Sequence, residues 1–261
     1  MYEVYAVRYA HHQRTAAENF LGGDAHDGPM PMDYFVWLIR DAERAFVVDT
    51  GFNAATARKR GRELLRCPGA GLELLGVDAA TVRDVIVTHL HYDHIGNFDL
   101  FPAATFHLQD REMFFATGRN MAQPAQSGAY DVEHVVGMVR EVYKGRVCFH
   151  DGDAELAPGL SVHHVGGHTL GLQVVRVRTA RGWVVLASDA THYYANMVQR
   201  RPFPIVYDVA AMTSGWDRVA ALADSADHVI PGHDPDVMRR YPAPTPALEG
   251  VAVRLDVPPV A

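Results

Sequence analysis

The chain has 261 residues, 48% hydrophobic and 21% charged, with 24 Lys and Arg against 31 Asp and Glu and a formal net charge of −7. That length can bury a sizeable core, and the negative balance argues against gripping a phosphate backbone. Two distant cysteines, Cys67 and Cys148, exclude a disulfide framework, and no apolar run reaches the roughly 18 residues of a membrane span. The opening MYEVYAVRYAHH lacks the basic and apolar regions of a signal peptide, so the expected compartment is the cytoplasm.

Residues 2–9 alternate like a strand. Residues 10–32 do not; they are rich in Gly, Pro and polar groups, and so long a connection reads as a lid or substrate loop. Its Phe20, Leu21, Met30 and Met32 are candidate substrate contacts, with capping of the core as the plainer role. YFVWLI (34–39) and AFVVDT (45–50) are strands joined by a polar turn. Residues 54–66 read as a basic helix, with Arg58-Lys59-Arg60 as a solvated face. From Val82 a β-branched run forms a buried strand that leads directly into THLHYDHIGN. A strand at 104–108 and helices near 110–117 and 131–143 follow. Further strands are predicted at 160–165, 172–178, 183–188 and 227–230, with a helix at 209–223. Strand pairs followed by helices suggest two packed sheets with helices outside.

His89, His91, Asp93 and His94 form H-x-H-x-D-H directly after a predicted strand. Alternate strand residues share a face, so a turn there can aim His89 and His91 at one point and Asp93 and His94 at another. A single histidine in a chain with 15 of them is ordinarily a surface residue. Four ligand-type side chains within six positions are not. Imidazole and carboxylate suit zinc, and also iron, manganese or cobalt. His168 in VGGHTLG, Asp189 in LASDA and His233 in VIPGHD each follow a short apolar strand, with turn-forming residues beside them. They supply what a two-metal site still lacks: more nitrogen ligands and a carboxylate able to bridge.

The order HLHYDH, GGHT, SDA, PGHD resembles the metallo-β-lactamase superfamily, and within it the N-acyl-homoserine lactonase branch. The resemblance runs from about Tyr34 to Pro242 and includes DTG at 49–51. It implies an α/β fold, an αββα four-layer sandwich forming one domain over residues 1–261, with metals at one edge of the sheets. It assigns His89, His91 and His168 to one metal ion, Asp93, His94 and His233 to a second, and Asp189 to both. Two divalent ions are thus expected, zinc first, with iron, manganese or cobalt as substitutes. The implied reaction is hydrolytic opening of a lactone ring, an N-acyl-homoserine lactone in the first instance (quorum quenching). A catabolic lactonase of the 4-pyridoxolactonase type, a thioesterase or a phosphodiesterase are the alternatives within the fold. Seven ligands argue against a non-catalytic metal-binding domain, because structural sites close with four. Asp93 would also shuttle a proton to the leaving alkoxide. In the branch a tyrosine usually stands three residues after the bridging aspartate. Here that position is His192, followed by Tyr193 and Tyr194. One of the three is expected to hold the carbonyl oxygen, Tyr193 first and His192 second. Tyr92 is expected to face the substrate. The Arg200-Arg201 pair would meet a carboxylate-bearing lactone or only solvent, and a neutral or weakly charged lactone is the expected partner. A homodimer is compatible with this reading; nucleic acid and membrane are not expected partners.

Overall fold

The computed structural model describes residues 1–260. Its strands are β1 (Glu3–His12), β2 (Met32–Arg40), β3 (Ala45–Val48), β4 (Glu63–Leu64), β5 (Asp84–Ile86), β6 (Thr105–Gln109), β7 (Val147–His150), β8 (Ala154–Ala157), β9 (Leu160–His164), β10 (Gln173–Thr179), β11 (Gly182–Ser188), β12 (Val229–Pro231) and β13 (Ala252–Arg254). The first sheet runs β13-β1-β2-β3-β5-β6-β7, with the short β4 also beside β1. Pairing is antiparallel as far as β3 and parallel from β3 to β7. The second sheet runs β12-β11-β10-β9-β8, parallel between β11 and β12 and antiparallel elsewhere.

The apolar run of β2 shows why the layers stack. Phe35, Trp37 and Ile39 point between the sheets, against Val4 and Ala6 of β1 and Val175, Val177, Val184 and Leu186 of the second sheet. Tyr34, Val36 and Leu38 point the other way. There they join Leu72 from helix Pro68–Glu73, Ala57 from helix Ala54–Arg60, and Val135 and Met138 from helix Val132–Tyr143. A strand covered on both faces has no polar side to show, so its sequence is continuous where a half-buried strand would alternate. On the far side of the second sheet, Val174, Val185 and Ala187 pack on Val219 of helix Val209–Leu222. The order is helix, sheet, sheet, helix, the αββα sandwich that the sequence implied. Among the described residues no helix is long and apolar enough to cross a membrane.

Three local expectations need correction. The basic helix ends at Arg60, not near 66: Gly61 adopts φ 63° and its N–H caps the carbonyls of Ala57 and Arg58. The chain beyond it turns back to pair β4 with β1. The strand expected over 45–50 stops at Val48, because Asp49 has φ 60°. Near the end of the described residues, Ala252–Arg254 form β13, which pairs with Tyr5 to Val7. The 10–32 segment is also more ordered than a loop: its first residues extend β1 to His12, and a short helix covers Ala16–Asn19.

Candidate metal centre

β5 ends at Ile86, and the chain behind it is pinned by Asp49. The Asp49 carboxylate accepts the Thr88 N–H at 2.8 Å and the Thr88 hydroxyl at 2.9 Å. The next residues bring in His89 and His91, and a single turn of helix, Tyr92–Ile95, brings in Asp93 and His94. His168 comes from the loop after β9, Asp189 from the end of β11 and His233 from the end of β12. All seven side chains are buried.

They gather as two groups around one carboxylate. His91 Nδ1 lies 3.0 Å from His89 Nε2 and 2.9 Å from His168 Nε2, and His168 Nε2 is 3.2 Å from Asp189 Oδ2. On the other side, His94 Nε2 and His233 Nε2 lie 3.3 and 3.0 Å from Asp189 Oδ1. Asp93 Oδ2 stands 3.7 and 3.8 Å from the same two nitrogens. Each oxygen of Asp189 therefore faces a different group.

The outward nitrogens fix the rings. His168 Nδ1 donates to the Ile205 carbonyl at 2.7 Å, and His233 Nδ1 donates to the Asp33 carbonyl at 3.0 Å. A carbonyl only accepts, so the proton sits on Nδ1 and the Nε2 lone pair points inward. His94 Nδ1 is held in the same way, 2.7 Å from the Asp49 carboxylate.

The donor set fits divalent cations. Asp93 and Asp189 are buried and their ion-pair contacts are all with histidines. Buried carboxylates without a fixed cation are costly unless something balances them. Among the described residues the buried His94 Nε2 has no hydrogen-bond partner, although it points at both carboxylates. Burial pushes His89 and His91 well below the ordinary imidazole value, which keeps them neutral, the ligating form. Burial opposes charge on His94 too, but Asp189, Asp93 and Asp49 outweigh it and raise its pKa. Burial would likewise raise Asp189; His192, His233, His94 and His168 instead hold it well below the carboxylate range.

A cavity of about 240 Å³ opens onto the cluster. His91, Asp93, His168, Asp189 and His233 form its floor, with Tyr92, His192, Met32, Phe203 and Ile205 on its walls. Tyr92 lines this cavity, its hydroxyl accepting from Arg62 Nε at 3.1 Å. Met32 lines it; Phe20 and Met30 do not. Phe20 is buried beneath the Arg201 guanidinium, and Met30 packs on the core. His192 stacks on Phe203 at 3.8 Å between ring centres, and its Nε2 lies 3.0 Å from Asp189 Oδ2. Burial depresses its pKa to about 3. Tyr193, the first expectation for the oxyanion contact, turns away: its hydroxyl donates to the Pro31 carbonyl at 3.3 Å. Tyr194 is partly buried and packs against the core between the sheets, under Arg240. Arg200 and Arg201 are paired with Asp217 and Asp24 and do not line the cavity.

One residue that sequence reasoning missed ties the first group together. Glu112, fully buried in helix Asp110–Ala116, accepts the Leu90 N–H and the Tyr130 hydroxyl on one oxygen. Its other oxygen accepts the Thr169 hydroxyl and the Gly171 N–H. The loops carrying His89, His91 and His168 are thereby clamped to one carboxylate. Gly171 is required at this contact, since a Cβ there would sit 2.1 Å from the Glu112 nitrogen.

Known proteins share this arrangement of elements. A probable metallo-hydrolase of Mycobacterium bovis is 26% identical over 229 residues, covering 78% of this chain and 72% of that protein. The N-acyl homoserine lactonase AttM of Azorhizobium caulinodans is 27% identical over 176 residues, 64% of each chain. A solved N-acyl homoserine lactone hydrolase holding the product N-hexanoyl-L-homoserine superposes with a TM-score of 0.73 at 19% identity, over 91% of this chain and 95% of that one. The sequence profile of the Metallo-beta-lactamase superfamily matches residues 30–233, which include all seven residues of the buried His and Asp cluster, and the chain therefore belongs to that superfamily.

Proposed function

We propose that this chain is a metal-dependent hydrolase that opens the ring of a small lactone, with N-acyl-homoserine lactones as the first substrates to test. The observation that carries the reading is Asp189, one oxygen turned to His89, His91 and His168 and the other to His94, His233 and Asp93. These residues would hold two divalent ions, zinc in the first instance. Such a pair, when bound, polarises a carbonyl and acidifies a water towards neutral pH.

The chain's own residues supply the rest. His91, His168 and Asp189 position the floor. Asp93 lies on the cavity floor, where its carboxylate can hold a proton and pass it to the alkoxide as the ring opens. Phe203, Ile205 and Met32 supply apolar lining. The volume is below the roughly 300–1,000 Å³ of drug-sized pockets, which suits a small ring. The lactonase named above is a supporting likeness. The test is a hydrolysis screen on zinc-loaded protein with lactones, a thioester, a phosphodiester and a β-lactam, run beside elemental analysis. Acid release from lactones with about two metals per chain is expected. Rapid thioester or phosphodiester cleavage with no lactone turnover would overturn the substrate assignment, and full activity with one metal the dinuclear one.

A further inference from the structure

The cavity is also lined by three arginines from two separate segments: Arg14 just after β1, Arg60 at the end of helix Ala54–Arg60, and Arg62 just beyond it. From these we infer an anion subsite that takes a carboxylate or phosphate group carried by the substrate away from the bond that breaks. The inference rests on the cavity being the hydrolytic site.

Elsewhere in the chain arginines are commonly matched with acids. Arg8 pairs with Asp33, Arg40 with Glu3, Arg146 with Glu141, Arg201 with Asp24 and Arg254 with Asp256. Among the described residues, Arg14, Arg60 and Arg62 have no carboxylate within 4.0 Å. Neutral groups hold them. Arg14 donates to the Asn19 side chain and the Glu18 carbonyl, each at 2.6 Å. Arg60 donates to the carbonyls of Gly128 and Tyr130 and lies 3.8 Å over the Tyr92 ring. Arg62 donates to the Tyr92 hydroxyl and the Arg60 carbonyl.

These contacts orient the guanidiniums without neutralising them. Nη1 of Arg14 and Nη2 of Arg62 make no hydrogen bond among the described residues, and the buried Nε of Arg60 has none. Three half-buried cations around one concavity, in a chain of net charge −7, oppose the global balance. An arginine fork placed in that way matches a carboxylate or phosphate, and its field gathers anions from solution. His12 adds to the picture. Burial, with Arg62 and Arg14 nearby, lowers its pKa to about 4, so at neutral pH it is uncharged and can accept from Arg62 at 3.0 Å. The positive charge of this lining therefore rests on the arginines alone.

The consequence narrows the substrate within the lactone class: a lactone with an anionic arm is preferred over a neutral one. The Arg200-Arg201 pair that the sequence offered for that arm is elsewhere, and Arg60, which read as a solvated helix residue, is at the site. The test uses zinc-loaded full-length chain and a matched pair, a five-membered lactone bearing a ring carboxylate and the same lactone as its primary amide. A phosphate-bearing lactone forms a third arm. The carboxylate or the phosphate substrate should exceed the amide by about tenfold or more in kcat/KM, mainly through KM, with the advantage shrinking as salt rises. Arg62→Gln and Arg14→Gln should each draw that ratio towards one. Arg62→Lys, which keeps the charge but not the fork, should retain part of it and guards against a folding defect in Arg62→Gln. Equal kcat/KM for all three lactones, flat in salt and unmoved by the variants, would overturn the subsite while leaving lactone hydrolysis standing. Calorimetric titration with 2-hydroxyglutarate, the ring-opened form of the carboxylate probe, separates the other failure. Binding that is lost in the Arg14→Gln/Arg62→Gln double variant, from a protein that hydrolyses no lactone, would keep the subsite and remove the lactonase reading.

Discussion

Glu112→Gln is the most searching single change, because its expected cost follows from four hydrogen bonds. The wild-type carboxylate accepts from Leu90 at 3.0 Å, Tyr130 at 2.9 Å, Thr169 at 2.7 Å and Gly171 at 3.1 Å. All four partners donate. A glutamine keeps one acceptor oxygen, and its NH2 must face one hydroxyl and one backbone N–H, because each wild-type oxygen accepts from one of each. The hydroxyl can turn and accept from the NH2, but the N–H of Leu90 or Gly171 loses its acceptor, at about 1–3 kcal/mol. Total stability for a domain is of the order of 5–15 kcal/mol. At about 2–4 °C per kcal/mol for a chain near this size, the melting temperature should fall by roughly 2–12 °C. Thermal unfolding followed by circular dichroism on metal-stripped samples reads the hydrogen bonds themselves. Elemental analysis of reconstituted samples then reads the ligand loops, and zinc content should drop because His89, His91 and His168 lose their common anchor. A variant that melts within about 2 °C of wild type and binds a full complement of zinc would refute the clamp.

Three further outcomes are expected. Asp189→Asn should cut turnover by about 10²-fold or more and lower metal content, since Asp189 faces both ligand groups; near wild-type kcat with both metals retained would remove it as the bridge. His192→Ala should cost far more turnover than Tyr193→Phe, because His192 lines the cavity and the Tyr193 hydroxyl is bonded to Pro31; the reverse ranking in steady-state assays would show that the loop rearranges with substrate. The Glu141 carboxyl is held low: burial would raise it, but hydrogen bonds from Lys144 and Arg146 outweigh that. Its contribution is full above the unfolded value near 4.5 and is lost as pH falls through the lower folded value. Glu141→Gln should therefore flatten the acid limb of the Tm-against-pH curve, and two parallel curves would contradict the assignment.

The parts of the fold that sequence made legible are those whose own residues demand them. Residues 34–39 are apolar on both faces, and a short continuous apolar run of that kind belongs inside a sheet covered twice. The parts it hid are held by partners. β4 has two residues and β13 three, and neither has a pattern of its own; each exists because β1 offers unpaired backbone beside it. The helix expected to reach 66 fails for a local reason that was present in the sequence: a glycine at 61, free to take φ 63°, is a standard place for a helix to stop.

The same division runs through the site. The candidate ligands were legible because metal chemistry restricts the residue types and the strand ends restrict the spacing: HLHYDH is six consecutive residues, and the other three each follow a short apolar strand. The residues that orient those ligands were not legible. Asp49 lies 45 positions from His94, and Glu112 lies 59 from Gly171. No local pattern distinguishes the buried Glu112 from any other glutamate on a short helix. The phase of one loop was equally hidden. Tyr193 precedes helix Tyr194–Val198, its N–H is accepted by the Asn196 side chain, and Asn196 in turn donates to the carbonyls of Asn19 and Arg201. That lock commits the Tyr193 ring to the core beside Phe203 and leaves His192 facing the cavity. A resemblance of motifs carries residue identities across a family; which of two neighbouring side chains enters a cavity is decided by such a lock, made from contacts some 170 residues apart in sequence.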